Sequence, residues 1–348
     1  MMKKILSCVI VLLLTVGISY AAPIKIPKTG VATSYSPGDD GALQKGVAWP
    51  SPRFTDNGGG TVTDNLTGLM WTKDANLAGN KKVWQDALDY VADMNAGKNK
   101  NFGHTDWRLP NRRELKSLVD AWQYNPALPA DHPFTNVVPY QYWSSTSHAG
   151  LDNHAWRVNM WDGYTSGMHK VYNAYPAMVW PVRGKTGSIV KLPVTGQTKS
   201  YAKGDDGSLK MGAKVPNTRF KDNKDGTVTD NLTGLMWTKN ANLHKDTVWQ
   251  DALDYIADMN AGKNKNFSHT DWRLPNLNEL GSLIDLGYAG PALTPGHPFT
   301  GVQHFCYWTS SNYKNFDFSV WGVNLWDGED YFWGKSYIFN VWPVRGGQ

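Results

Sequence analysis

Three sets of side chains in this 348-residue sequence have the types that chemistry requires. His104, Asp106 and His132 offer imidazole and carboxylate ligands to a metal ion, and His269, Asp271 and His297 repeat the set. Ser144, His154 and Asp162 carry a hydroxyl, a base and an orienting carboxylate. Asp39-Asp40 and Asp205-Asp206 offer paired oxygens to calcium. Each set has a plainer account. A His or Asp in a loop satisfies backbone groups, and His-Pro is turn chemistry. No motif fixes the geometry of Ser144, His154 and Asp162, and the later half of the chain has Tyr313, Phe316 and Phe318 in that region. Asp222-Asn223-Lys224-Asp225-Gly226 resembles a calcium loop, but with Gly226 sixth the first ligand would be Lys221, a cation. The earlier half has Gly58-Gly59-Gly60 there, so a hairpin turn is the better account. The expectation is a protein with no catalytic residues, no metal and no cofactor, with calcium at the paired acids as the weak exception.

Composition narrows the class. Hydrophobic residues make up 41% and charged residues 19%, which is globular. The 17 Trp and 16 Tyr can fill cores and still supply a binding face. The net charge of +5 includes Lys3 and Lys4 and contains no basic run, which argues against nucleic acid. Residues 1–22 read as an export signal: Lys3-Lys4, an apolar run from Ile5 to Ile18, then small residues near Ala21-Ala22. The run is shorter than the ~20 residues of a spanning helix. An uncleaved anchor is the competing reading, and no later stretch is long enough to span a membrane. The expected location is the periplasm, the cell surface or the medium. Signal removal leaves one cysteine, Cys306, which reads as a buried apolar residue because Gln141 holds the matching position.

The elements that position these groups occur twice. Thr61–Trp71 returns intact as Thr227–Trp237, and Asp106-Trp107-Arg108-Leu109-Pro110-Asn111 as Asp271-Trp272-Arg273-Leu274-Pro275-Asn276. The boundaries are 28–184 for copy 1, 185–192 for a linker and 193–346 for copy 2. Thr61–Trp71 reads as strand, turn, strand. Val83-Trp84, Ala87-Leu88, Val91 and Met94 lie at helical spacing, closed by Gly97. Asn111 with Glu114 three residues later has capping-box spacing for a second helix. Short strands follow at Tyr142–Ser145, Trp156–Gly163 and Val179–Gly184. Strands, two helices and further strands make an α+β order. The six-residue motif reads as structural: Trp107 and Trp272 enter a core, and Arg108 and Arg273 pair with Asp106 or Glu114 and their counterparts in copy 2.

Four motifs carry a resemblance. Thr61–Trp71, Asp106–Asn111, Tyr142-Trp143-Ser144-Ser145 and Val179–Gly184 resemble the Lcl C-terminal domain family, twice over. That family takes its name from a bacterial collagen-like adhesin whose domain is associated with sulfated polysaccharides. The resemblance implies a C-type-lectin-like fold, similar also to sulfatase-modifying factors. The chain has no Gly-X-Y stalk, and its single mature cysteine removes the cysteine-pair oxidase mechanism of those factors.

The stretch after Trp143 is the most informative about function. Alternation puts Trp156, Val158 and Met160 on a core face, and Arg157, Asn159 and Trp161 on the other. Copy 2 repeats this with Trp321, Val323 and Leu325 inward, and Asn324 and Trp326 outward. Asp162-Gly163 and Asp327-Gly328 suit tight turns. A Trp beside a hairpin tip with Asn and Asp nearby is a sugar or peptide platform; the competing reading is that it packs on a neighbouring strand or on the other domain. The candidate ligand residues are His154, Arg157, Asn159, Trp161, Asp162, Tyr164 and Lys170 in copy 1, and Asn324, Trp326, Asp327, Tyr331, Trp333 and Lys335 in copy 2. The expected function is non-enzymatic adhesion to a polysaccharide or a surface protein. The alternatives are a metal-dependent enzyme on the same fold and a structural part of an envelope complex.

Overall fold

The sequence repeat is a repeat of elements in space. The computed structural model describes residues 22–171 and 175–347; all of the expected signal but Ala22 lies outside them. Copy 1 contains α1 (Asp40–Leu43), β1 (Phe54–Asp56), β2 (Thr61–Asp64), β3 (Met70–Thr72), α2 (Trp84–Asn95), α3 (Arg112–Lys116), β4 (Gln141–Ser147), β5 (His154–Asn159), β6 (Thr165–His169) and β7 (Val182–Arg183). Copy 2 contains α4 (Asp206–Leu209), β8 (Phe220–Asp222), β9 (Thr227–Asp230), β10 (Met236–Thr238), β11 (His244–Thr247), α5 (Trp249–Asn260), α6 (Leu277–Leu283), β12 (Cys306–Asn312), β13 (Ser319–Asn324), β14 (Asp330–Gly334), β15 (Phe339–Val341) and β16 (Val344–Arg345).

Each copy has a small four-stranded antiparallel sheet, β1-β2-β3-β7 or β8-β9-β10-β16. The late strands form a second sheet, β4-β5-β6 in copy 1 and β11-β15-β12-β13-β14 in copy 2. Isolated bridges Lys82↔Ala177 and Tyr142↔Met178 stand in copy 1 where copy 2 has β11 and β15. Helix α2 buries Trp84, Ala87, Leu88, Val91 and Met94, the spaced apolar set read from the sequence. Trp84 Nε1 donates to Ser144 O at 2.8 Å, which ties the helix to β4. Edge-to-face Trp71 and Trp180, with ring centroids 5.7 Å apart, join the two sheets of copy 1, as Trp237 and Trp342 do in copy 2.

The segments leading into the two copies are exchanged. The lead of copy 2 docks on copy 1: Asp206 accepts from its own Thr195 (2.6 Å) and from Thr146 of β4 (2.7 Å). The lead of copy 1 docks reciprocally on copy 2, where Asp40 accepts from Thr29 and from Ser311 of β12, both at 2.6 Å. Asn111 Nδ2 donates to Met211 O, and Asn276 Nδ2 to Lys45 O, each at 3.0 Å. Lys170 lies between Trp84 and Tyr201 of the other lead; Lys335 lies between Trp249 and Tyr35. Reciprocal contacts of this kind are what a two-fold relation between copies requires. Asp39 and Asp205 cap α1 and α4 through the Ala42 and Ser208 amides. Those bonds account for the paired acids.

Burial pushes the Asp40 and Asp206 carboxyls up to about 6, against the hydroxyls that stabilise their charge. Asp120 and Asp162 rise to about 6 for the same reason. Between about pH 4 and 6 the folded chain keeps these protons while the unfolded chain releases them, so stability falls as pH rises through that window, by up to ~3 kcal/mol per group. Asp106 and Asp271, held low chiefly by hydrogen bonds to Arg183 and Arg345, act with the opposite sign and only below about pH 4. Thermal melting is therefore expected to be higher at pH 4.5–5 than at pH 7.5. Combining Asp40→Asn with Asp206→Asn should shrink that difference; an unchanged pH slope would assign the protons to other groups.

Candidate ligand-binding site

The six-residue motif is a structural pin in both copies. Arg108 Nη1 and Nη2 donate to Glu114 at 2.5 and 2.7 Å, and Nη2 also reaches Gly184 O at 3.1 Å. Arg273, Glu279 and Gly346 repeat the set. Trp107 is buried, with its backbone held on both sides by the Asn95 amide; Trp272 is held the same way by Asn260. Asp106 binds Arg183, and Asp271 binds Arg345, at 2.7 Å. Asn111 and Asn276 form the expected capping boxes with Glu114 and Glu279.

The hairpin tips are different. Of the 17 Trp, only Trp161 (41%) and Trp326 (39%) are exposed, and they hold matching positions. Asn159 and Asn324 accept from the Trp161 and Trp326 amides at 2.9 and 3.0 Å, so they brace the turns. Asp162 and Asp327 accept from the amides of Tyr164 and Glu329, two residues on. A neighbouring loop closes on each tip: Asn125 N donates to Trp161 O, and Gly290 N to Trp326 O, both at 2.6 Å. These loops carry the exposed Tyr124 and Tyr288 beside each Trp tip. Sequence reading missed both tyrosines; an aromatic before a Pro-Ala-Leu loop in each copy was the available signal.

The other candidates divide. Arg157 is buried, not outward, because the second face of β5 is also covered; its guanidinium lies over Trp143 at 5.4 Å. Lys170 and Lys335 are occupied by the aromatic contacts above and by Asp152 O and Asp317 O. His154 pairs with Asn153 Oδ1 at 2.7 Å and meets the His169 ring edge-on. Tyr164 and Tyr331 meet across the copies, with centroids 5.0 Å apart, and Trp333 packs on Phe339 and Tyr337.

Residues 60–183 and 226–345 match the Lcl C-terminal domain. The chain belongs to the Lcl C-terminal domain family. No curated protein matches it. Both matched spans begin after the lead segments, so the exchange of leads is added to the frame of two Lcl C-terminal domains.

Between the two Lcl domains lies a charged seam that sequence reading also missed. Arg112 of α3 donates to Thr165 Oγ1 (2.7 Å) and to Gly328 O, lies over Trp156 at 4.0 Å, and is 3.9 Å from Asp330. Lys116 binds Asp330 at 3.2 Å, and burial lowers the pKa of both cations. His148 stacks on Trp156 and reaches Asp327 at 3.3 Å. Copy 2 has Leu277, Gly281 and Tyr313 where copy 1 has Arg112, Lys116 and His148. Changes of charge inside a matching frame were the signal. A cavity of about 140 Å³ lies beside this seam, walled by both leads and by α3 and α6.

The chemical sets do not assemble. Ser144 Oγ donates to Trp156 O at 2.8 Å and is fully buried. His104 packs on Trp107, and His132 on Phe134. Among the described residues no three His, Cys, Asp or Glu side chains are grouped to hold a metal ion. Cys306 is buried, with its thiol pushed up to about 12 by burial.

Proposed function

We propose that the protein is an exported, non-enzymatic binding protein whose two domains recognise carbohydrate in a C-type-lectin-like manner at the hairpin tips. The observation that carries this reading is the exposure of Trp161 and Trp326 alone among the 17 Trp. Thirteen of the others are buried and the remaining two are half-buried, so the two tip indoles stand apart from the rest of the Trp set. Two exposed indoles at matching tips, each with an exposed Tyr nearby, suit stacking on a sugar ring. Trp326 also meets the His148 ring at a tilt, with centroids 5.9 Å apart. Two weak sites on one chain raise avidity for a repeating polymer.

Trp161→Ala and Trp326→Ala are each expected to weaken retention on a binding glycan about tenfold, the effect of ~1.4 kcal/mol of aromatic contact. A glycan array identifies the polymer first, and unchanged retention of both variants would sink the platform. A second reading, a structural part of an envelope complex, is supported by the exposed Phe305, Tyr337 and Ile338 of copy 2. Cross-linking in whole cells to one surface protein, lost on Tyr337→Ser and kept in Trp161→Ala, would favour it.

A further inference from the structure

The cavity beside the seam sits where the two copies exchange their leads. Matching residues of the leads line it: Ile24 and Val190, Lys25 and Lys191, Pro27 and Pro193. Its volume is about 140 Å³, and a dry cavity of about that size takes a benzene ring. A pocket shared evenly by two like copies would have like walls. This one does not, because α3 contributes Arg112, Arg113 and Lys116 where α6 contributes Leu277, Asn278 and Gly281.

The two sides differ in chemistry. On the copy 2 side Leu277, Ile284, Leu286 and Val323 are buried apolar walls, continued by Val190 of the second lead. Five cations line the cavity, against one acid, Asp330, among the described residues. Asp330 is spent on Lys116 and Arg112. Arg113 is half-buried, donates from Nη2 to Ile284 O, and has no ion pair among the described residues. Burial, then the charges of Arg219 and Arg112, lowers its pKa to about 10 against the pull of Asp285. Lys25 and Lys191 are exposed at the rim. The cavity therefore has an apolar wall, and a cationic wall with charge to spare.

Gly281 keeps the apolar side open. It lies inside α6 with a helical backbone, so no positive φ calls for glycine. A Cβ there would meet no atom within 4 Å. Glycine inside a helix weakens it relative to other residues, so the open space is not a requirement of the helix.

We infer that this cavity is a binding site for a small carboxylic acid whose apolar body is about the size of a phenyl ring. The body lies on the copy 2 wall beside Gly281, and the carboxylate meets Arg113, with Lys25 and Lys191 at the rim. A neutral molecule of the same shape leaves the charge of Arg113 unanswered, and an anion without an apolar body leaves the cavity unfilled. The site lies between the domains, and the inference does not rest on the carbohydrate reading.

The test uses the full chain and calorimetric titration with cinnamate, its neutral analogue cinnamyl alcohol, and acetate. Cinnamate is expected to bind with a Kd of ~1 mM or tighter, within the range for a ligand of that size. It should bind about 10–100-fold more tightly than the alcohol, the usual worth of a hydrogen bond to a charged group. Acetate should show no binding. Arg113→Gln should bring the acid down to the level of the alcohol. Gly281→Leu, which places a side chain in the open space, should abolish binding of both while its melting temperature stays at or above the parent's. Should Arg113→Gln fail to fold, Gly281→Leu carries the test by itself. No binding of cinnamate, equal binding of acid and alcohol, or binding unchanged in folded Gly281→Leu overturns the site. Acetate bound as tightly as cinnamate also overturns it, because the apolar wall then contributes nothing.

Discussion

Glu114→Ala is expected to destabilise the protein by about 3–5 kcal/mol, the cost of leaving one member of a buried ion pair alone. Glu114 takes both Arg108 donors and also accepts from the Asn111 amide at 2.9 Å. Its loss strands a guanidinium in a site where both partners are nearly fully buried, and removes half of a capping box. Arg108 also holds Gly184 O, next to the closing strand β7. The damage therefore spreads from the start of α3 to the end of the domain. Denaturant unfolding of Glu114→Ala and Glu279→Ala measures it. Combining Arg108→Met with Glu114→Leu should recover much of the loss, because an apolar pair leaves no charge unpaired. A loss under 1 kcal/mol for Glu114→Ala would show that the pair does not hold the frame.

A fragment spanning residues 50–215 should be markedly more stable than one spanning 22–186. Both contain β1 to β7, α2 and α3 of copy 1. Only the first contains the lead that copy 1 receives. That lead supplies Asp206 to Thr146, a carbonyl to Asn111, Gln197 to Ser147 O, and Tyr201 to Lys170. Without it the buried Thr146 hydroxyl loses its acceptor and one face of β4 opens to water. Each buried polar group left unsatisfied costs ~1–3 kcal/mol, so a difference of several kcal/mol is expected. Melting followed by near-ultraviolet circular dichroism compares the two. Equal stability of the fragments would mean that each copy holds together with its own lead.

Much of the frame was legible because it is written twice. The helices followed from apolar spacing and from Asn111–Glu114, and the strands from runs such as Thr61–Asp64. The exchange of leads was not legible. Thr195 meets Asp206 through the same local pattern whichever copy receives the segment, and the deciding partner, Thr146, is 60 residues away. The burial of Arg157 was hidden for a related reason. Strand alternation separates two faces but does not say what covers either, and β5 is covered on both. The hairpin tips were legible in place and type, because Asp-Gly fixes the turn and the preceding Trp has nowhere inward to go. What the sequence left out there was the flanking loop with Tyr124, joined by backbone bonds from Asn125 N to Trp161 O and from Ala127 N to Met160 O.

The division of charge at the seam bears on how this chain can vary. Copy 1 contributes Arg112 and Lys116, and copy 2 answers with Asp330, where copy 1 has Thr165. Two copies of the first kind would set cations opposite a neutral hydroxyl, and two of the second would leave acids without cations. The repeats have become sexes of one interface: alike in frame, but unable to mate with their own kind. Lys116 and Asp330 are 214 residues apart, so a charge lost from one half leaves its partner in the other half unmatched. Duplicating or deleting a single repeat would leave a partner unmatched.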